Sequence, residues 1–438
     1  MIRFPATPFA LLIGRAPYLL VLALVALAVL LYALPPAFDS PFGLNHAGVG
    51  QFAAGWGVRN MLQLGPGTFA VSLACVLVIV WLLFAAVVAA EYKYPGILST
   101  RVVARAEVLA LLAALLCPPA LSTDVYAYAA YGRIAGLLGL NPYHVRPRVL
   151  VDVGDPIAPF LGIDLPSVYG PLWTLVSTGI VSAVGSVMVE VVVLKLCATG
   201  ALAAATILAG RLAAHLNPGR EGLARLIVGL NPLLLLEGPA TGHNDVLTMA
   251  LFLAGALYAI RARAVPAMLL AGLAASIKPL PVLAMPWLLL ALARRAALTS
   301  LSAVQYGLLC LAVLFPAVLM LPFGHDLDVV NAFITRVRLP SVDPTGGTLR
   351  IALIGLLYLR YSLWVVSRRT EPDAWLTAWL YFATPAALLA SGVPFPWYLT
   401  YSWMVQPLRN AEAHRVGFWV LWGGSLVLGL IYAWPINA

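Results

Sequence analysis

Charge is what this chain has least of. Only 10% of its 438 residues are Asp, Glu, Lys or Arg, against 62% hydrophobic, where a soluble globular chain carries about 25% charged residues. So little polar surface excludes an ordinary soluble domain. No Walker-type loop, GxGxxG, HExxH, GxSxG or CxxC occurs. An ATP-driven pump, a zinc protease, a serine hydrolase and a redox-active thiol pair are therefore unsupported. The four cysteines, Cys75, Cys117, Cys197 and Cys310, lie far apart inside apolar runs, as packing residues do, and share no metal or redox spacing. Internal repeats and low-complexity tracts are also missing.

What is present is lipid-compatible sequence from end to end. A helix crossing a bilayer needs roughly 17–25 apolar residues, and the runs here predict an all-α polytopic membrane protein of about 13 transmembrane helices. One transmembrane domain is expected to cover 1–438. The run from Pro17 to Ala37 is too long for a signal-peptide core and reads as the first span. The net charge of +9 collects in short loops, where it sets topology and meets anionic lipid headgroups, with no nucleic-acid partner implied. Arg3 and Arg15 place the N-terminus in the cytoplasm, and "EYKYPGILSTRVVAR", Arg261/Arg263, Arg294/Arg295, Arg368/Arg369 and Arg409/His414/Arg415 mark further cytoplasmic turns. A long loop over about 122–170, carrying short interfacial helices, then lies outside, as does a second over about 322–347. The latter holds His325, Asp326, Asp328, Arg336, Arg338 and Asp343 and is long enough to act as a lid. Between Pro171 and Ala213 the charge pattern demands an odd number of crossings, yet two apolar segments are visible. One of them is expected to be re-entrant or interfacial.

Against this background the few polar interruptions stand out. "STDVYAYAAYGRIAGLLGLNPY" predicts a short helix capped at Ser122 or Thr123. Asp124, Tyr128 and Tyr131 share one of its faces at spacing i, i+4, i+7. An interfacial helix with an acidic first turn and an aromatic belt explains the same residues. "NPLLLLEGPATGHND" sets Glu237, His243, Asn244 and Asp245 into a hydrophobic region. Such groups are expensive at membrane depth and tend to face a cavity, pair or act; the prolines and glycines around them predict a broken helix. A plain loop turn, with Asp245 capping the next helix, is the alternative. In "SIKPLPVLAMP", Lys278 sits at an outer helix end. It can snorkel to the interface, or hold a phosphate-bearing lipid. "SVYGPLW" and "VPFPWYLTYSW" bring Tyr169, Trp397 and Tyr398 to the outer interface, where such rings serve as a belt or as a sugar-stacking surface.

Taken in order, "STDVYAYAAYGRIAGLLGLNPY", "VYGPLW", "NPLLLLEGPATGHNDVLTMALF", "SIKPLPVLAMP" and "PFPWYLTYSW" resemble the GT-C superfamily of lipid-linked glycosyltransferases. More narrowly they resemble the polyprenol-phosphomannose-dependent α-1,6-mannosyltransferases of actinobacterial lipomannan synthesis. The resemblance spans roughly Ser122 to Trp403. It implies a GT-C fold in the plasma membrane with its active site on the external face. The implied reaction is inverting transfer of mannose from a polyprenyl-phosphate donor to a hydroxyl of a glycan or glycolipid, forming an α-1,6 linkage. The family's loop aspartate falls on Asp124, as catalytic base. The donor phosphate and sugar would meet Lys278, His243, Asn244, Asp245 and Arg133, and the substrate pocket would be lined by Tyr128, Tyr131, Asn141, Tyr143, Tyr169, Trp397 and Tyr398. Many relatives carry two adjacent acidic residues where this chain has Thr123 and one Asp124, which favours a mechanism without metal or other cofactor. A related enzyme using polyprenyl-linked glucose or arabinose, or a lipid or glycan transporter, remains the rival reading. Paired, corresponding helix breaks in two halves would mark a transporter, and none is seen.

Overall fold

The computed structural model describes residues 8–40, 43–57, 62–162, 164–323, 344–371, 373–409 and 411–434. Among them the regular structure is all helix. Six helices are long and apolar enough to cross a membrane: Ile13–Tyr32, Pro66–Lys93, Val187–Leu216, Ala303–Phe323, Gly347–Ser367 and Ala374–Ser391. A seventh crossing arises if Glu221–Gly229 and Pro232–Ala240, bent by 49° at their junction, are one broken span. Shorter apolar helices of 10–17 residues accompany them. The number thirteen stays an expectation, but the multi-pass, all-helical membrane architecture is plain. Large apolar side chains remain outward on these helices, among them Val71, Leu356 and Val420 at 60% exposure or more. Surfaces of that kind are stable against lipid tails and costly in water.

The chain divides into two compact units, each assembled from separate stretches. Met1–Val125, Val191–His243 and Pro407–Ala438 form the first. In it the helix Pro8–Tyr32 packs on Pro66–Lys93 and on Thr100–Leu116, and Ala411–Tyr432 lies against Pro66–Lys93. Local chemistry sets the ends. Pro66 opens its helix, where a missing N–H costs nothing. The carboxylate of Glu91 accepts from the N–H groups of Gly96 (2.6 Å) and Leu98 (3.2 Å), closing the loop that follows. Ser99 then caps Thr100–Leu116 through Val102 N–H. Glu107 in that helix pairs with Arg225 at 2.7 Å.

Tyr126–Glu190 and Asn244–Gln406 form the second unit. Helices Asp245–Ile260, Ala264–Ala275 and Ala303–Met320 pack in succession, and Pro344–Ser367 packs on Ala374–Ser391. Phe252 stacks on Trp379 at 4.6 Å and meets Trp375 edge-on, filling the core with rings. The two apolar segments expected after Tyr169 are helices Pro171–Val184 and Val187–Leu216. Gly185 separates them in a left-handed turn, φ 72°. The expected lid residues His325 to Asp343 lie outside the described residues.

Candidate functional site

Within the first unit, the turn that leads to Asp124 is held from two sides. The ammonium of Lys195, fully buried in helix Val187–Leu216, donates to the carbonyls of Leu115 (2.8 Å) and Cys117, and lies 4.7 Å over the Phe52 ring. It thereby satisfies carbonyls that the end of helix Thr100–Leu116 leaves unpaired. Next, the hydroxyl of Ser122 accepts the N–H of Asp124 at 3.1 Å, starting the helix Asp124–Gly136 as the sequence predicts.

Asp124 is buried beside a histidine. Its Oδ2 lies 3.6 Å from Nε2 of His243, a side chain with no exposure. The same nitrogen is 3.1 Å from Ser122 Oγ. On the far side of the imidazole, Nδ1 lies 3.1 Å from Glu237 Oε2 and 3.2 Å from Thr241 Oγ1. Glu237 in turn accepts at Oε1 from the Tyr432 hydroxyl at 3.2 Å. The sequence places this cluster by breaking a helix. Asn231 caps Leu233 and Leu234, and Leu236–Ala240 then widen into a π turn containing Pro239. Turns of that kind gather at functional positions. Gly242 follows at φ 80°, and a side chain there would strike Val125 at 2.9 Å, so glycine is required on both counts.

The second unit holds the expected phosphate lysine. Lys278 Nζ donates to Asp245 Oδ2 at 2.6 Å, and the Tyr401 hydroxyl donates to the other oxygen of Asp245 at 2.8 Å. Burial and the Asp245 carboxylate hold the Tyr401 phenol well above its ordinary value, so it remains a donor. The tyrosine motif reaches Lys278 through its backbone. Gly170 N–H and Leu172 N–H donate to the carbonyls of Ile277 (2.8 Å) and Ser276 (2.9 Å). Only a glycine allows that approach, since a Cβ at Gly170 would collide with Ser276 O. Tyr169 thus lies beneath the lysine, ring centroid 5.9 Å from Nζ. Tyr128 packs edge-on against Tyr169 and Trp173, and its hydroxyl donates to Asn244 at 3.4 Å.

Other expected pocket residues are occupied in building this frame. Tyr143 donates to Tyr169 O (3.0 Å), Tyr131 donates to Leu165 O (2.8 Å), and the Asn141 amide donates to Phe323 O. Trp397 stacks on Phe395 at 4.2 Å with Tyr398 alongside. From that aromatic motif it is Tyr401, not singled out in the sequence, that meets Asp245. Arg133 is the clearest departure from expectation. Its five N–H groups go to Glu190 (3.0 and 2.6 Å), Asp155 (3.0 and 3.1 Å) and Gly185 O (3.3 Å), which leaves none for a donor phosphate. Lys195 was also missed, although a lone lysine in "EVVVLKLCATG" is itself a signal of a partnered or functional charge. Among the described residues no three His, Cys, Asp or Glu side chains are arranged to hold a metal ion.

The comparisons with known proteins concern this same stretch. A family model described as alpha-(1->6)-mannopyranosyltransferase, N-terminal domain, matches residues 43–294. That match takes in Asp124, Glu237, His243, Asp245 and Lys278. An alpha-(1->6)-mannopyranosyltransferase A of Mycobacterium tuberculosis is 30% identical over 344 residues, 68% of this chain. A probable alpha-(1->6)-mannopyranosyltransferase of Mycolicibacterium smegmatis is 37% identical over 155 residues, 34% of this chain. The chain spans 63% of the length of the first relative and its alignment covers 27% of the second. No solved structure matches it significantly. With more than half of its length under the family model, the chain belongs to the family described as alpha-(1->6)-mannopyranosyltransferase, N-terminal domain.

Proposed function

We propose that the protein transfers a mannosyl residue from a polyprenyl-phosphate donor to a hydroxyl of a glycan or glycolipid. It acts at the external face of the plasma membrane on a GT-C scaffold, its N-terminus cytoplasmic, and forms an α-1,6 linkage. The observation that carries this reading is the family match over the stretch that holds both buried ionisable clusters. Asp124 takes the proton of the acceptor hydroxyl as that oxygen attacks the anomeric carbon. The bond to the donor phosphate breaks, its electron pair leaves with the phosphate, and a single displacement inverts the anomeric centre. Lys278, oriented by Asp245 and Tyr401, meets the charge that develops on the leaving phosphate, in surroundings poor in water. Tyr169, beneath Lys278, and Tyr398 offer ring surface to the sugar, with Tyr128, Asn244 and Trp397 packed beside them. No metal or other cofactor takes part. Arg133 is left out of the donor site, because its donors are spent.

The test is transfer of radiolabelled mannose from polyprenyl-phosphate mannose to a short α-mannoside, with and without chelator. Product that persists with chelator supports the reading. A folded protein that makes none, yet uses a polyprenyl-linked glucose or arabinose, changes the donor; one that moves lipid or glycan across vesicles without bond formation overturns the enzyme reading.

Lys278 carries a prediction of its own. The variant Lys278→Met combined with Asp245→Asn avoids an orphaned carboxylate. Losing one charge-assisted contact raises the donor KM about 10- to 100-fold. The acceptor KM is expected to stay within about twofold, since the contact is with the donor alone. Steady-state kinetics with each substrate varied separates the two, and a change confined to the acceptor would remove Lys278 from the phosphate.

A further inference from the structure

Behind Asp124 the structure places a second buried carboxylate that the reaction as drawn does not use. Glu237 is 2% exposed, and its Oε2 makes no hydrogen bond although it lies 3.1 Å from His243 Nδ1. A buried carboxylate oxygen left in this state calls for a proton donor. The Thr241 hydroxyl donates to backbone carbonyls, to Glu237 O at 2.7 Å, so its hydrogen is engaged away from the ring. The contact of Glu237 Oε2 with His243 Nδ1 is electrostatic, and in the tautomer that carries its proton on Nδ1 the lone pair of Nε2 faces Asp124. Tyr432 fixes the other oxygen of Glu237, as a third group orients the base in known catalytic triads.

We propose that Glu237 is a positioning residue that acts through His243, holding the imidazole so that Nε2 receives from Asp124 the proton taken from the acceptor. This rests on the assignment of Asp124 as the base. In the step that follows sugar transfer, the O–H bond of the Asp124 carboxylic acid breaks and an N–H bond forms at Nε2. Asp124 is again a carboxylate, and the imidazolium charge is balanced by Glu237. Water entering as product leaves removes the proton, and no redox partner is needed. His243, expected from the sequence to touch the donor, belongs on this reading to the proton side of the reaction, since two carboxylates at its nitrogens make a poor seat for a phosphate.

The experiment compares Glu237→Gln, His243→Gln, the double variant, Tyr432→Phe and Asp124→Asn in the mannose-transfer assay. Glutamine keeps the shape of Glu237 and its acceptor for Tyr432 while removing the charge. Turnover of Glu237→Gln is expected to fall about 10- to 100-fold with both KM values within about twofold, a split that loosened substrate packing would not produce. The double variant is expected to be no slower than His243→Gln alone, because Glu237 works only through that ring. Unchanged turnover in Glu237→Gln, or losses that multiply in the double variant, overturns the proposal. Should Glu237→Gln not fold, Tyr432→Phe decides, with a roughly threefold or larger fall in turnover expected and no change overturning the role. Asp124→Asn separates the two levels. If it remains active the base assignment itself falls; if it is inactive while Glu237→Gln is normal, only the relay falls.

Discussion

Asp124→Asn is expected to abolish transfer, with turnover down about 10²- to 10⁴-fold, the range over which a positioned general base acts. The substitution keeps the size of the side chain and its place at the start of helix Asp124–Gly136. The backbone N–H of residue 124 still reaches Ser122 Oγ, since that bond belongs to the main chain. Neither folding nor donor binding should therefore change much, and the loss appears in turnover. Two measurements check it: single-turnover transfer at saturating donor, and thermal unfolding of both proteins in detergent. An amide cannot take the acceptor proton, so a variant that keeps most of its turnover removes Asp124 as the base. The side chain is 12% exposed, enough for a hydroxyl to reach while most of the carboxylate is shielded.

Arg133→Met is expected to lower stability by about 3–5 kcal/mol, the usual cost of removing one partner from a buried ion pair. The arginine side chain is 3% exposed, Glu190 is fully buried and Asp155 is 10% exposed. Removing the guanidinium leaves two carboxylates facing each other without a counter-charge, and five hydrogen bonds are lost together. Methionine fills much the same space, so cavity formation adds little. Denaturant unfolding in mixed micelles reads the change. The companion variant with Glu190→Gln and Asp155→Asn should recover most of it, because replacing a whole buried ionic group costs less than breaking it. A stable Arg133→Met protein with a raised donor KM would instead restore the phosphate role that the sequence suggests.

These two residues show how unevenly the sequence speaks. Both stand in one short segment, "TDVYAYAAYGR", and both look like active-site charges when read along the chain. Asp124 stands out in the sequence because an acidic residue after a long apolar run has few structural uses, and its assignment as the base is a proposal. Its helix start could also be read, since Ser122 and Thr123 are local caps. The role of Arg133 could not, because its partners are Asp155 and Glu190, 22 and 57 residues away, and nothing in their spacing marks them as a set. The broken helix before His243 was legible from Pro232, Gly238, Pro239 and Gly242, whose effect on the backbone is local. That His243 lies between Asp124 and Glu237 was not, because ring orientation depends on packing.

Membrane-spanning helical architecture and the family resemblance were determined by composition and by short motifs, which act through solvent transfer and local backbone preference. The tertiary structure decided which charge meets which. It spent Arg133 on two carboxylates, gave Lys278 to Asp245 and Tyr401, and set Lys195 under the turn that carries Asp124. Ser122 and His243 are 121 residues apart in sequence and 3.1 Å apart in the fold. Such pairings follow from how whole helices pack, where a buried charge must find a partner or unfold its surroundings.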